Sequence, residues 1–376
     1  MENIKVIVVF GTRPEAVKMA PLIKELEKVP QIQCIVCVTA QHREILDQVL
    51  ETFNITPQYD LNIMKEKQSL TGITCSVLSG LGEIFEKEEP DMVLVHGDTT
   101  TTFAASLAAF YRKIHVGHVE AGLRSHNKFS PYPEEINRKL TSALADLHFS
   151  PTNTSKQNLL EEGVDERTIF VTGNTVIDAM KFTIKEDYIF QNHELNKIDY
   201  KSKKVIVITA HRRENWGSGI ENICNAVKIL VEGNQDVEIV YLVHPNPVVK
   251  NMVQGILKDV ERVHILQPID TVEIHNLMKQ SYLIVTDSGG IQEEAPHLGK
   301  PVLVLRTVTE RVEAERAGTV RLVGTDIDRI VLEVNKLLRD VGEYKCMSTS
   351  INPYGDGNAS ARIVDALLKY FNKSII

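Results

Sequence analysis

KVIVVFGTRPEAVKMAP, residues 5–21, reads as a buried strand, a tight turn and the opening of a helix. The run KVIVVFG (5–11) is apolar without alternation, so both faces of the strand should be covered. That is the pattern of a parallel sheet packed between helices. Gly11 permits the turn and Pro14 suits the first helical position. Arg13 and Lys18 bracket the helix start, and a strand, glycine, helix N-terminus and two cations together suit an anionic ligand. The plainer alternative is a pair of solvated surface cations. No G-x-G-x-x-G follows the strand, which disfavours a dinucleotide.

Similar Val- and Ile-rich runs recur along the chain with helical-period segments between them. CIVCVTA (34–40), DMVLVHGD (91–98), HVGHVEAG (115–122), LHFSPT (147–152) and TIFVTG (168–173) complete a first series. KVIVITA (204–210), VEIVYLVHP (237–245), VHILQP (263–268), LIVTDSG (283–289) and PVLVLR (301–306) form a second. Two series predict an α/β chain of two doubly wound, Rossmann-like domains, and 376 residues suffice for both. The expected boundaries are residues 1–173 for the first domain and 174–358 for the second, with the hinge near 172–176 or in the polar stretch 191–204. The helical-period segment 359–376 is expected to fold back onto the first domain as a strap.

The formal charge of −8 argues against nucleic acid or an anionic membrane as main partner. Five scattered Cys predict reduced thiols and a cytoplasmic setting. Cys34 and Cys37 form a C-x-x-C inside a strand pattern, so they read as packing rather than a redox pair. The charged start followed directly by a strand has no signal h-region, and no apolar run approaches the ~18 residues of a membrane span.

Ligands of doubly wound sheets lie beyond the carboxyl ends of the strands, and here those ends are rich in reactive residue types. Asp98 follows one strand and precedes TTTT, so an N-cap role is the structural alternative. Glu120 follows the next, and Glu134 and Glu135 come after it in SPYPEE, where a helix dipole would also favour them. His211 ends KVIVITA, beside Arg212 and Arg213, and His244 ends a neighbouring strand. In TDSGGIQEEAP (286–296), Ser288, Gly289 and Gly290 can cradle phosphate on backbone N–H groups, with Glu294 placed to accept from hydroxyls. Metal is not expected: His115 and His118 fall on opposite strand faces, and His96 with Asp98 makes too few ligands.

Taken together, GTRPEAVKMAPLI (11–23), TAQHREILDQVL (39–50), HGDTTTTFAASLAAF (96–110), HVEAGLRS (118–125), PEEINR (133–138), VTGNTVIDA (171–179), TAHRREN (209–215) and TDSGGIQEEAPHLGKPVLVLR (286–306) resemble the non-hydrolysing bacterial UDP-N-acetylglucosamine 2-epimerases. The resemblance runs through nearly the whole chain and in the family order. It implies the glycosyltransferase-B fold, a UDP-sugar held in the cleft, a homodimer and no cofactor. Asp98, Glu120 and Glu134 would be the acid–base carboxylates, with His211 beside the diphosphate. Arg13, Lys18, Ser288, Gly289, Gly290, Glu294 and Arg311 would bind the nucleotide-sugar, and Ile269 and Ile274 would flank uracil. Some members are activated by their own substrate at a second site. The matching residues here are Gln41 in Gln41-His42-Arg43-Glu44 and, in place of a later Arg, Lys67, with Arg212 and His244 as further regulatory candidates. After Arg306 the family's Asp-Thr-Thr-Glu-Arg-Pro-Glu becomes Thr307-Val308-Thr309-Glu310-Arg311-Val312-Glu313, which is expected to loosen the loop carrying Arg311.

The implied reaction interconverts UDP-N-acetylglucosamine and UDP-N-acetylmannosamine by loss and return of UDP, supplying precursors of capsule, teichoic acid or another glycan. Three other readings stay open. A glycosyltransferase would transfer sugar to an added acceptor, a hydrolysing epimerase would release free N-acetylmannosamine, and an idle UDP-sugar sensor would bind without exchange at C2.

Overall fold

In the computed structural model, residues 3–39, 43–63 and 68–374 are described. The chain divides into two compact units, Met1–Phe182 with Tyr354–Ile376, and Thr183–Pro353.

The first unit is built on strands β1 (Ile4–Phe10), β2 (Ile32–Val38), β3 (Tyr59–Asp60), β4 (Met92–His96), β5 (His115–Val119), β6 (Leu147–Ser150) and β7 (Ile169–Val171). They form one parallel sheet in the order β3-β2-β1-β4-β5-β6-β7. Val6, Ile7, Val8 and Phe10 are fully buried, as expected of a strand covered on both faces. The order reverses between β1 and β4, and such a switch point leaves a crevice at the carboxyl ends.

The second unit repeats the plan with β8 (Lys204–Ala210), β9 (Val237–Val243), β10 (Val263–Leu266), β11 (Leu283–Thr286), β12 (Val302–Val304) and β13 (Val320–Leu322). The parallel order is β10-β9-β8-β11-β12-β13, with its switch between β8 and β11. Tyr241, Leu230, Val334 and Leu337 belong to its core, where sheet and helices meet. The fold class is therefore α/β with two doubly wound units of the glycosyltransferase-B kind. The strands β3 and β13 had no apolar run long enough to announce them.

The helix Thr175–Thr183, read from sequence as opening the second domain, lies in the first unit except for its last residue. Its anchors explain why. Asp178 accepts the backbone N–H groups of Ala359 at 3.1 Å and Ser360 at 2.8 Å, capping the returning helix Ala359–Ser374. That helix packs on the helix Arg13–Leu26. Among the described residues no helix is long and apolar enough to cross a membrane.

Candidate active site

The turn after β1 is organised by Glu15, which the sequence reading passed over. Its buried carboxylate accepts the N–H groups of Gly11 at 3.1 Å and Thr12 at 2.8 Å, closing the first turn of the helix Arg13–Leu26. The other oxygen accepts the Thr99 hydroxyl at 2.7 Å and that of Thr102 at 3.2 Å, from the turn after β4. Burial raises the Glu15 pKa, with the Thr99, Thr12 and Gly11 hydrogen bonds opposing it. One carboxylate thus ties together the two turns at the switch point. Arg13, the first residue of the helix, is left exposed at its positive end.

Thr99, not Asp98, caps the helix Thr100–Tyr111, accepting from the Thr102 N–H at 3.1 Å. Asp98 is therefore spared for another use. Its carboxylate receives the Arg138 guanidinium at 2.5 Å, and its carbonyl accepts from the Asn137 amide at 2.9 Å. Arg138 also meets Glu135 at 3.2 Å. Glu135 is fully buried and accepts the N–H groups of Ser125 at 2.9 Å and His126 at 3.0 Å. Burial works against its charge, but those two N–H groups, the Ser125 hydroxyl and Arg138 outweigh it and hold the carboxyl below its usual range. Glu134 opens the helix Glu134–Leu144, and its Oε2 is buried with no hydrogen-bond partner among the described residues.

Glu120 follows β5 in a left-handed conformation, φ 62°, a strained backbone for a residue with a side chain. Its carboxylate pairs with Lys18, accepts the Asn174 amide at 2.8 Å and stands 3.7 Å from His96 Nε2. A Cβ on Gly97 would lie 3.7 Å from Glu120 Oε1, so this carboxylate abuts the backbone that leads into Asp98. Burial pushes the His96 imidazole down to about 4 against the pull of Glu120, and that of His118 to about 3. His96 is accordingly a neutral neighbour. Lys18 engages Glu120 rather than standing as a solvated cation.

In the second unit His211 follows β8 and Asp287 follows β11, again the two strands at the switch. Asp287 is fully buried and accepts the N–H groups of His211 and Arg212, both at 2.9 Å on one oxygen, and the Asn215 amide at 2.9 Å. His211 Nδ1 lies 3.0 Å from its other oxygen. Burial opposes the charge, but the His211 contact and charge, the Arg212 N–H and Asn215 prevail and lower the Asp287 pKa. This orients His211 with its Nε2 side unencumbered by Asp287.

Ser288 stands at the N-cap position of the short helix Gly289–Glu294, its side chain making no cap hydrogen bond. A Cβ on Gly289 would sit 3.4 Å from the Arg311 guanidinium, so the glycine turn and Arg311 share one spot. The Arg311 loop is anchored despite its sequence departure, because Thr309 donates to Gln292 at 2.7 Å and Arg311 Nε donates to Glu293 at 2.8 Å. Glu294 is the last residue of that helix and lies 3.3 Å from His275 Nε2. Ile269 and Ile274 are half-buried on either side of the N-cap Asp270.

Of the regulatory candidates, Gln41 lies outside the described residues, as do His42 and Lys67. Arg212 is occupied by Glu310 at 3.2 Å and the Asp287 carbonyl at 3.1 Å. His244 follows β9, accepts the Asn246 N–H at 3.2 Å and faces the Trp216 ring at 6.1 Å. Glu15, Arg138, Asn174 and Asp287 were missed because each works through another residue. A buried-strand reading marks where a chain turns but not which side chain turns back.

A family model described as UDP-N-acetylglucosamine 2-epimerase matches residues 24–368. The UDP-N-acetylglucosamine 2-epimerase of Salmonella typhimurium is 56% identical over 375 residues, covering 97% of this chain and 99% of the relative. That of Bacillus subtilis is 54% identical over 371 residues, covering 99% and 97%. A crystal structure of UDP-GlcNAc 2-epimerase from Neisseria meningitidis bound to UDP-GlcNAc superposes with a TM-score of 0.87 at 52% identity, covering 97% of this chain and 100% of that one.

Proposed function

The chain belongs to the UDP-N-acetylglucosamine 2-epimerase family, and from that premise we propose how its residues divide the work of inverting C2 of UDP-N-acetylglucosamine. C2 of an N-acetylhexosamine is not next to a carbonyl, so direct proton removal has no enolate to stabilise it. Elimination removes the difficulty. The C1–O bond breaks with its electron pair going to the diphosphate, a base takes the C2 proton, and a glycal remains. A proton then reaches the opposite face of C2 while the diphosphate oxygen bonds C1 again. Nothing is oxidised or consumed.

The departing diphosphate needs positive potential in place before the bond breaks. Arg13 supplies it from the first unit. In the second unit His211, Arg311, Ser288 and the N–H groups of Gly289 and Gly290 supply it, Glu294 takes the ribose and Ile269 and Ile274 take uracil. The proton transfers need two differently placed acid–base groups. Asp98, Glu120 and Glu134 fill those roles, the first two held by cations behind them. Lys18 serves as the ion-pair partner of Glu120.

The observation that carries this reading is the packing of Glu120 against Gly97, the residue before Asp98, with Lys18 on one carboxylate and Arg138 on the other. Proton NMR of UDP-N-acetylglucosamine with the protein in D2O tests it. We expect UDP-N-acetylmannosamine to appear with deuterium entering C2 of both sugars. Free N-acetylmannosamine as first product, or binding without C2 exchange, would overturn it. The same reading takes the protein as a cytoplasmic homodimer supplying envelope polysaccharide synthesis, in keeping with its five free thiols and acidic charge.

A further inference from the structure

Glu120 is held from separate elements, among them Lys18 of the helix Arg13–Leu26, His96 at the end of β4, and Asn174 after β7. These grips differ in kind. Lys18 brings charge on a flexible stem, which fixes direction poorly. His96 is neutral and stands off at 3.7 Å. Asn174 is rigid.

The rigidity can be traced bond by bond. Asn174 is 3% exposed. Its backbone N–H donates to the Tyr354 carbonyl at 2.7 Å. Its Oδ1 accepts the Val176 N–H at 3.1 Å, so the amide can present only its Nδ2 to Glu120, at 2.8 Å. Next to it, Gly173 (φ +90°) presses on the returning chain. A Cβ there would lie 3.2 Å from the Tyr354 oxygen and 3.3 Å from Gly355 Cα, and a Cβ on Gly355 would lie 3.2 Å from Gly173 Cα. The two backbones touch because neither carries a side chain. The amide cannot swing without moving that crossing.

We propose that Asn174 is a positioning residue for the C2 reaction: its amide, locked by the Gly173–Gly355 crossing, aims the Glu120 carboxylate at the proton it exchanges. The proposal rests on the reading of Glu120 as an acid–base group. A carboxylate misaimed by even an ångström loses rate while binding is spared, because the substrate is held mostly by its diphosphate and base. Among the described residues, Lys18 and His96 stand within ion-pair distance of Glu120, and neither is altered by a change at Asn174.

Two variants separate aim from architecture. Asn174→Asp keeps an oxygen to accept from Val176 but puts a second negative charge where the donor stood. Its thermal midpoint should fall at pH 8, where two buried carboxylates face each other, and recover at lower pH, so kcat is read at a temperature at which the variant stays folded. Its kcat should fall about 100-fold at pH 8 with KM within about threefold, and part of the loss should return below about pH 6, where the new carboxyl can protonate and donate. Asn174→Ala should lower kcat about 10-fold and move the acidic limb of kcat/KM up by about one pH unit, since a donor to the charged form has gone. Near-parent kcat for Asn174→Asp at pH 8 would overturn the proposal. So would a loss that merely tracks thermal stability while the acidic limb stays put. Glu120→Gln, run alongside, tells the two failures apart. If it is nearly inactive while Asn174→Asp is normal, only the positioning role falls. If Glu120→Gln itself turns over normally, the acid–base reading falls with it.

Discussion

Replacing Glu120 by Gln keeps the shape of the side chain and removes its charge. The structure allows both consequences to be sized. Lys18 and Glu120 are 14% and 9% exposed, so the substitution leaves an ammonium largely buried without its counter-charge. Removing one partner of such a pair costs about 3–5 kcal/mol. The Gln oxygen still accepts a hydrogen bond, so we expect about 2 kcal/mol of lost stability in chemical unfolding. Turnover should fall by about two to four decades, the usual worth of one acid–base group, or about 3–5 kcal/mol in the barrier. The double variant Lys18→Met, Glu120→Gln separates these effects. With no stranded charge its stability should return to within about 1 kcal/mol of the parent, while C2 exchange followed by NMR stays as slow as in the single variant. Recovery of exchange to within about tenfold of the parent would mean that Glu120 serves only to neutralise Lys18, and the chemical role would be refuted.

Other outcomes follow from the same geometry. Arg13→Ala removes an exposed cation at a helix N-terminus and should weaken UDP binding about 10- to 100-fold by calorimetry; an unchanged affinity would remove Arg13 from the site. His96 and His118 are held neutral by burial, at about 4 and about 3 against a usual 6.5. Their folded values are depressed, so the unfolded chain takes up protons first and stability drains as pH falls below 6.5. Each should contribute a slope of up to about 1.4 kcal/mol per pH unit, and His96→Gln should flatten the urea-unfolding profile between about pH 6 and pH 4.5 by roughly its share. Gly122 sits at φ +90°, and a Cβ there would fall 2.1 Å from the Ser155 oxygen. Gly122→Ala should therefore cost about 3 kcal/mol or more, or prevent folding, as thermal unfolding would reveal.

Most of the frame was legible because buried parallel strands write themselves as unbroken Val and Ile runs. KVIVITA matches β8 residue for residue, whereas β3, two residues long, leaves no such trace. Strand ends were readable for the same reason, and they located Asp98, Glu120, His211 and Ser288. What stayed hidden were partners supplied from far along the chain. Nothing near Glu120 announces Lys18 or Asn174, more than fifty residues away on either side. The domain boundary was hidden too, since it depends on Asp178 capping a helix that begins at Ala359. The loop bearing Arg311 shows the converse. Its missing Asp and Pro suggested slackness, but Thr309 and Glu293 hold it by contacts that no local pattern encodes.

Everything rests on UDP departing from the sugar and rejoining it before either escapes. Positional isotope exchange examines that step alone. UDP-N-acetylglucosamine carrying oxygen-18 in the bridge between C1 and the β-phosphorus should, on incubation, spread the label into the non-bridging β-phosphate oxygens, since a freed phosphate can turn before it reattaches. We expect scrambling at least as fast as epimerisation, visible as the isotope shift in phosphorus NMR. Epimerisation with the label still wholly in the bridge would contradict departure and return of UDP.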